Sequence, residues 1–174
     1  MAHFDITAKK LRALVPQLKA GDTLGLTGTL YTSRDAAHKE IFALLDQGKP
    51  LPFELEDAII YYAGPTPGKP GMAVGSCGPT TSGRMDSFAP RLYDLGLLAT
   101  IGKGSRSEQV RVAIAKNRGL YLLAVGGAGA LIARCIKRAE EIGFVHLGCE
   151  SVKRLEVENL PLIVGIDPAG DTIV

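Results

Sequence analysis

The chain lacks tryptophan altogether and contains only three cysteines among its 174 residues. Cys77, Cys135 and Cys149 are odd in number and widely spaced, which indicates reduced thiols in a cytoplasmic protein rather than a disulfide framework. No two cysteines or histidines have the spacing of metal ligands, and His3 and His146 are expected at the surface. We therefore expect no metal site formed by this chain alone.

Neither sign of charge dominates, and no long apolar run is present. The 20 Lys and Arg residues nearly balance the 18 Asp and Glu residues, so the net charge of +2 does not indicate a nucleic-acid-binding protein. No apolar segment approaches the roughly 20 residues of a membrane-spanning helix, and residues 1–10 lack the pattern of a secretory signal. With 46% hydrophobic and 22% charged residues, the composition predicts one globular domain over residues 1–174.

Glycine, by contrast, is abundant: there are 21, and no low-complexity segment accounts for them. Many backbone positions must therefore need a positive φ or a close approach by another group. Ala63–Met72 contains three prolines and three glycines, which predicts a constrained loop. Its composition suits either a mobile cover or a subunit contact.

Apolar periodicity predicts alternating helices and strands. Helices are predicted over Thr7–Ala20, Ser33–Gln47, Gly83–Leu95, Ser105–Asn117 and Gly126–Arg134. Strands are predicted over Asp22–Leu30, Ala58–Tyr62, Leu97–Ile101 and Leu120–Val125, with two separate candidates near the end, Val152–Val157 and Leu162–Ile166, before a turn at Asp167–Gly170. This alternation predicts an α/β domain with a mixed sheet flanked by helices.

Gly28–His38 is the first of three segments in which a Gly/Ser/Thr turn follows a strand and a cation begins a helix. Thr32 and Asp35 fit a capping box, which places Arg34 in the first helical turn. A cation is unfavourable beside the positive helix end, unless it joins the free N–H groups in binding an anion. The alternative is a solvated arginine paired with a nearby acid. His38, one turn later, is expected on the same face as Arg34.

Gly75–Asp86 is the second segment. Its seven residues from Gly78 to Arg84 contain two glycines, one proline, three hydroxyls and one arginine. Such a stretch can present hydroxyl and N–H groups to a polar ligand. An ordinary capped turn is the alternative, although it would use one hydroxyl rather than three. Cys77, beside this turn, is as well explained as a small buried residue.

Gly102–Glu108 is the third segment, with Lys103 between two glycines and Arg106 in the predicted first helical turn. Ser105 and Glu108 fit a capping box. The segment lacks the spacer of a phosphate-binding P-loop, and Gly126–Ala130 lacks the full dinucleotide-binding pattern, so neither indicates nucleotide binding. Three cationic turns instead favour a small polyanion with two carboxylates. No obvious catalytic pair lies within them, so the chain resembles half of a site.

These segments, Gly28–His38, Gly78–Asp86 and Gly102–Arg106, resemble the signature stretches of the iron–sulfur-dependent class I fumarase and tartrate dehydratase family. The resemblance is to its β subunit, which is equivalent to the C-terminal domain of the single-chain forms. It extends over nearly the whole chain, because Tyr61–Pro65 and Leu162–Asp167 also match. The resemblance implies a compact swivelling-type α/β domain.

The resemblance also implies a substrate site formed by Arg34, Thr80, Arg84 and Lys103. In the family, the threonine at the position of Thr80 is a proposed base for the proton lost from carbon. An alcohol has a very high pKa, so its alkoxide needs neighbouring cations; a simple hydrogen bond to the substrate is the alternative. Four further residues are second candidates, expected to orient these groups: Asp35, His38, Thr81 and Arg106.

A partner and a cofactor follow from the same resemblance. In this family the α subunit holds a 4Fe–4S cluster through cysteines, and the dicarboxylate substrate lies between the subunits. We therefore expect the β subunit of a two-chain enzyme that hydrates fumarate reversibly to (S)-malate. Tartrate dehydration to oxaloacetate is the close alternative, and a non-catalytic carboxylate-binding module or a structural partner chain are the others. Two α and two β subunits would satisfy symmetry.

Overall fold

The computed structural model describes residues 1–174 and contains a seven-stranded mixed sheet with helices. The strands are β1 (His3–Thr7), β2 (Thr23–Thr32), β3 (Ile59–Tyr61), β4 (Ala99–Gly102), β5 (Leu120–Leu123), β6 (Ile136–Gly143) and β7 (Val152–Ile166). The α-helices are α1 (Ala8–Leu14), α2 (Asp35–Asp46), α3 (Ala89–Asp94), α4 (Glu108–Asn117) and α5 (Gly129–Cys135). 3₁₀ turns lie at Val15–Gln17 and Ser82–Met85, and the 3₁₀ segment Val145–Glu150 is interrupted by a kink at Gly148.

The sheet closes on itself. Its strand order is β1-β2-β3-β4-β5-β7-β6, and neighbouring strands from β1 to β5 run parallel. β7 runs antiparallel to β5 and β6, and it also pairs with β2. Because β7 joins β2 to β5, strands β2, β3, β4, β5 and β7 form a closed, barrel-like ring. The predicted α/β class with a mixed sheet is confirmed.

Apolar side chains cover both faces of the central strands. Ile59 and Tyr61 belong to one buried cluster, which also receives residues of α1 and α5. Ile60 and Tyr62 belong to a second cluster, packed against α2, α3 and α4. Successive residues of a strand point to opposite faces, so each short parallel strand contributes to both cores. This two-sided burial explains why β3 and β5 are continuous apolar runs in the sequence.

Four predicted elements differ from the structure. Pro16 supplies no N–H for the next helical hydrogen bond, so α1 ends at Leu14 and a 3₁₀ turn, Val15–Gln17, follows it. Thr7–Ala20 is therefore not one α-helix. The predicted helix Gly83–Leu95 is a 3₁₀ turn followed by α3, which begins with a proline in its first turn. The two strands predicted near the end are one 15-residue strand, β7.

Two strands were not predicted. β1 pairs only with β2, and β6 pairs only with β7, so both are edge strands. β6 carries charged residues on its exposed positions, as edge strands commonly do because charge discourages pairing with other chains. Neither strand has the continuous apolar pattern that identifies the buried strands.

Candidate functional site

The three cationic segments leave the sheet at one edge. β2, β3, β4 and β5 are parallel, and Thr32 lies in register with Tyr61, which in turn lies in register with Ile101. Neighbouring strands are about 4.8 Å apart, so the ends of β2 and β4 are separated by about 10 Å. Ligands of parallel α/β sheets, whether open or closed into a barrel, bind beyond the carboxyl ends of the strands. The segments that follow β2, β3 and β4 are those predicted to bind an anion.

The second and third segments are hydrogen-bonded to each other. Thr81 forms a parallel bridge with Lys103, and the Ser82 amide donates to the Lys103 carbonyl at 3.0 Å. The Thr80 amide donates to the Tyr62 carbonyl at 2.7 Å, which holds Thr80 just beyond the end of β3. Thr80 is half-buried, whereas Thr81 and Lys103 are exposed. The structure therefore brings the Thr80 and Lys103 turns together at this edge.

Arg84 lies in the 3₁₀ turn Ser82–Met85. This turn begins directly after Thr81, the residue that bridges to Lys103. Its side chain is exposed and makes no ion pair. Lys103 likewise makes no ion pair, and a Cβ atom on Gly126 would lie 3.6 Å from its Cδ. Two cations without intramolecular counterions thus stand on adjacent turns, an arrangement that suits the binding of an anion.

Arg34 reaches across from the end of β2. It is the N-cap residue of α2, and its Nη2 lies 3.1 Å from Glu150 Oε1 and 3.9 Å from Asp35 Oδ2. A Cβ atom on Gly64 would lie 3.3 Å from Arg34 Nη1, so the guanidinium lies against the segment that follows β3. The pairing with an acid, the alternative that the sequence left open, is present in this chain.

The capping box predicted at the start of α2 is wrong. Thr32 Oγ1 donates to the Ser151 carbonyl at 3.3 Å and accepts from the Lys153 amide at 3.0 Å, so it joins β2 to the start of β7. Asp35 is the first residue of α2 rather than the reciprocal partner of a cap. The first N–H groups of α2 are therefore not satisfied by Thr32; instead Glu150 Oε2 lies 3.4 Å from the Ala36 amide nitrogen.

His38, one turn after Arg34, is fully buried. Its Nδ1 lies 2.9 Å from the Arg34 carbonyl and 2.8 Å from Ser33 Oγ. Its ring packs against Tyr62 and Phe88. Burial lowers the pKa of His38 to about 4, and the imidazole is therefore neutral at pH 7. His38 contacts the backbone carbonyl of Arg34 and makes no hydrogen bond to its guanidinium.

The capping box predicted in the third segment is also wrong. α4 begins after Ser107, whose side chain makes no cap, and the Ser107 amide donates instead to Asp86 Oδ2 at 2.5 Å. Arg106 is buried rather than exposed at the site, and its Nε donates to Asp86 Oδ1 at 2.6 Å. Asp86 is the last residue of the second segment, but the sequence alone did not indicate that its carboxylate binds the Arg106 side chain and the Ser107 amide.

The loop Ala63–Met72 borders an open cleft of about 480 Å³. Pro65, Thr66 and Pro67 line one side, and Cys149 and Lys153 are among the residues on the other. The Thr66 amide donates to the Ser76 carbonyl at 2.9 Å, so the loop is closed at its base. Its role as a cover or a subunit contact stays a prediction.

The three cysteines are dispersed. Cys77 is buried, and burial raises the pKa of its thiol to about 12, whereas Cys135 is half-buried and Cys149 is exposed. No group of three His, Cys, Asp or Glu side chains is placed to hold a metal ion. The residues of this chain therefore do not fit an iron–sulfur cluster. None of its helices is both long enough and apolar enough to span a membrane.

Comparison with known proteins identifies the family of the chain. The family model described as "Fumarase C-terminus" matches residues 1–174. The chain is 41% identical over 164 residues to "Fumarate hydratase 2" of Leishmania major, which covers 93% of this chain and 29% of the relative. It is 40% identical over 165 residues to "Fumarate hydratase class I, anaerobic" of Escherichia coli, covering 94% of this chain and 30% of the relative.

A relative of similar size has a different name. The "Putative L(+)-tartrate dehydratase subunit beta" of Methanocaldococcus jannaschii is 39% identical over 165 residues, which is 91% of this chain and 85% of that protein. By contrast, the chain spans only about 30% of the length of the fumarate hydratases above. The resemblance predicted from the three segments is confirmed: this chain belongs to the fumarase C-terminus family, which it shares with class I fumarate hydratases.

Proposed function

We propose that this chain is the β subunit of a two-chain hydro-lyase that hydrates fumarate reversibly to (S)-malate. The observation that carries the proposal is the convergence of Arg34, Thr80, Arg84 and Lys103 on turns at one sheet edge. The family supports a hydro-lyase, because the relatives named above are hydratases or a dehydratase. The reduced cysteines favour a cytoplasmic location.

The cationic side chains bind the two carboxylates of the substrate. Arg84 and Lys103 are free to take one carboxylate, since neither is paired within the chain. Arg34 takes the other from the neighbouring turn. Charge-assisted hydrogen bonds from a planar guanidinium fix the direction of a carboxylate as well as its position. The substrate is thereby held with its central carbons over the turn that bears Thr80.

Thr80 moves the proton at carbon. No side-chain hydrogen bond within the chain occupies its hydroxyl, and its backbone is fixed to Tyr62 at 2.7 Å. The adjacent cations lower the cost of an alkoxide, and they also stabilise the charge that develops on the carboxylate next to the reacting carbon. A hydroxyl that only donates to the substrate is the alternative role.

The other half of the site belongs to an α subunit in this proposal. The ligands of a 4Fe–4S cluster come from that subunit, because this chain offers no set of residues for it. When bound, such a cluster supplies a Lewis acid for the hydroxyl group that leaves. Exposed apolar residues on segments at the same sheet edge, Met72 and Val125, are available for contact with a partner.

L-tartrate dehydration is the second candidate function. It is favoured by one specific observation, the 39% identity over 85% of the protein named "Putative L(+)-tartrate dehydratase subunit beta". Tartrate differs from malate by one hydroxyl, so the same cations suit both dicarboxylates.

An anaerobic assay of the reconstituted complex tests the proposal. The chain is mixed with its α subunit, and turnover of malate, fumarate and tartrate is followed. We expect activity only with both chains, and a loss of at least about 100-fold in kcat/KM for Arg84→Ala. Arg91→Ala is the matched control, because Arg91 is an exposed arginine that pairs with Asp46. Full activity of the α subunit alone would favour a structural role for this chain, and carboxylate binding without any turnover would favour a binding module.

A further inference from the structure

A buried arginine lies beneath the two turns that carry Thr80, Arg84 and Lys103. The side chain of Arg106 is 0% exposed, and its guanidinium stacks between the rings of Tyr62 and Tyr121, at 5.3 and 4.9 Å from their centroids. Nη1 donates to Thr100 Oγ1 at 2.9 Å, and Nη2 donates to the Tyr62 hydroxyl at 3.3 Å. Burying an arginine is costly unless it is paired and hydrogen-bonded. Here each of the three guanidinium nitrogens donates a hydrogen bond.

Asp86 connects this cation to both turns. Its Oδ1 accepts from Arg106 Nε at 2.6 Å, and its Oδ2 accepts from the Ser107 amide at 2.5 Å. Asp86 directly follows the 3₁₀ turn that bears Arg84, whereas Arg106 and Ser107 directly follow the turn that bears Lys103. One carboxylate therefore holds the end of the second segment against the end of the third.

Tyr121 makes a second connection on the other side of the guanidinium. Its hydroxyl contacts Ser82 Oγ at 2.9 Å and donates to the Gly104 carbonyl at 2.8 Å. Ser82 belongs to the second segment and Gly104 to the third. The hydroxyl of Tyr121 thus joins the same two segments as Asp86, from a strand that the sequence does not connect directly to either.

Burial strengthens these bonds. Burial alone would lower the pKa of Arg106, but the oxygens of Tyr62 and Tyr93 and the Asp86 carboxylate raise it above its ordinary value, so the guanidinium is charged at pH 7. Burial also raises the pKa of Tyr121 to about 12, which keeps its hydroxyl protonated as a donor. At neutral pH Arg106 is therefore a cation and Tyr121 a hydrogen-bond donor.

We propose that Arg106 is a positioning residue: together with Asp86 and Tyr121, it sets the distance between the Thr80–Arg84 turn and the Lys103 turn. The proposal rests on the proposed function, because it concerns the turns assigned there to the substrate. The side chain of Arg106 has no exposed atoms with which to touch a ligand, so its effect passes through these neighbours. A displacement of about 1 Å in a catalytic group can cost about 100-fold in rate, so such a cluster would matter for turnover.

The first test measures backbone mobility and needs neither substrate nor cluster. In Arg106→Lys the charge remains, but one ammonium cannot reach Asp86, Thr100 and Tyr62 together or stack between two rings. We expect amide hydrogen exchange to accelerate at least about tenfold in residues 80–86 and 103–107, while the amides of β2 and β5 keep their protection. Acceleration spread evenly over the sheet, or none in these two segments, would overturn the proposal.

The second test measures turnover of the complex with the α subunit. We expect kcat/KM to fall by about 10- to 100-fold in Arg106→Lys and in Asp86→Asn, and by about fivefold in Tyr121→Phe, which loses only a hydroxyl. Arg106→Lys combined with Asp86→Asn should be no worse than the more severe single variant, because both break one connection. Full additivity of the two losses would contradict a shared role.

A matched control separates positioning from general stability. Leu11 is fully buried in α1 and belongs to the first core cluster, whereas Tyr62 and Tyr121 beside Arg106 belong to the second. We expect Leu11→Ala to lower the melting temperature, because it leaves a cavity, and to leave kcat/KM within twofold of the original chain. An equal loss of activity in Leu11→Ala would assign the effect of Arg106 to stability alone.

The two proposals fail in distinguishable ways. If the original complex turns over neither malate nor tartrate, the proposed function is wrong, and hydrogen exchange still decides whether Arg106 fixes the two turns. If the original complex is active and Arg106→Lys keeps kcat/KM within threefold, the positioning role is wrong and the proposed function stands. Should Arg106→Lys not fold, Tyr121→Phe and Asp86→Asn decide by the same two measurements.

Discussion

Glu150 Oε1 lies 3.1 Å from Arg34 Nη2, while the other carboxylate oxygen of Glu150 lies 3.4 Å from the amide nitrogen of Ala36. A carboxylate of the chain itself thus occupies the position where the positive end of α2 and a cation favour an anion. A substrate carboxylate that binds Arg34 has to compete with it.

This competition predicts tighter substrate binding in Glu150→Gln. We expect KM for the dicarboxylate to fall about three- to tenfold with kcat within twofold, because an amide still accepts a hydrogen bond from Arg34 but carries no charge. Steady-state kinetics of the reconstituted complex measures both constants. Glu40→Gln on the exposed side of α2, where Glu40 pairs with His146, is the control. A rise in KM would mean that Glu150 orients Arg34 rather than competes for it.

The role of Thr80 predicts a change in kcat rather than in KM. If its hydroxyl moves a proton, Thr80→Ala should lower kcat by about 100-fold or more with KM within threefold, and Thr80→Ser should restore most of the rate. Single-turnover measurements on the anaerobic complex separate chemistry from binding. Ser87→Ala, an exposed hydroxyl of the next turn, serves as the control. A rise in KM with kcat unchanged would leave Thr80 as a binding residue only.

Because His38 is buried, we expect the protein to lose stability in mild acid. Burial lowers the pKa of His38 to about 4 in the folded chain, from about 6.5 in the unfolded chain. The hydrogen bond to the Arg34 carbonyl and the charge of Asp35 act in the opposite direction, and the charge of Arg106 adds to the effect of burial. Between the two pKa values the unfolded state binds more protons, so this contribution to stability is complete above pH 6.5 and is lost as the pH falls towards 4. The loss amounts to about 3 kcal/mol.

Urea unfolding at pH 7 and pH 4.5 checks this effect. In His38→Gln the difference in unfolding free energy between the two pH values should shrink, since the side chain no longer titrates. His146→Gln, which alters an exposed histidine, should keep the full difference. An unchanged pH dependence in His38→Gln would show that other groups account for the acid sensitivity.

The surroundings of Gly102, the last residue of β4, leave no room for a larger side chain. A Cβ atom there would collide with Ser82 Oγ and lie 3.1 Å from a ring carbon of Tyr62, both of which are buried. We expect Gly102→Ala to lower the unfolding free energy by about 1–3 kcal/mol, measured by urea denaturation. Gly126→Ala is the control, because its Cβ would meet only the flexible side chain of Lys103, at 3.6 Å. Equal stability of the two variants would show that Ser82 moves aside freely.

Elements with buried faces could be predicted from sequence, and elements at the margins could not. The apolar run Leu120–Leu123 is identified because both of its faces are covered. β6 escaped prediction because its charged side chains face outward along an edge. Both capping boxes failed for a related reason: Thr32 and the start of α4 found better partners far along the chain, in β7 and at Asp86.

The amino-acid sequence by itself determined the α/β class, the family and the identity of the three cationic segments, because these follow from local pattern and motif. Tertiary structure alone decided which cations stay free. Arg106 and Arg34 look alike as arginines at helix starts, yet one is enclosed by aromatic rings and an acid, and the other pairs with Glu150 beside the segment that follows β3. Burial and long-range pairing depend on strand register and sheet closure, which bring together residues that local sequence leaves far apart.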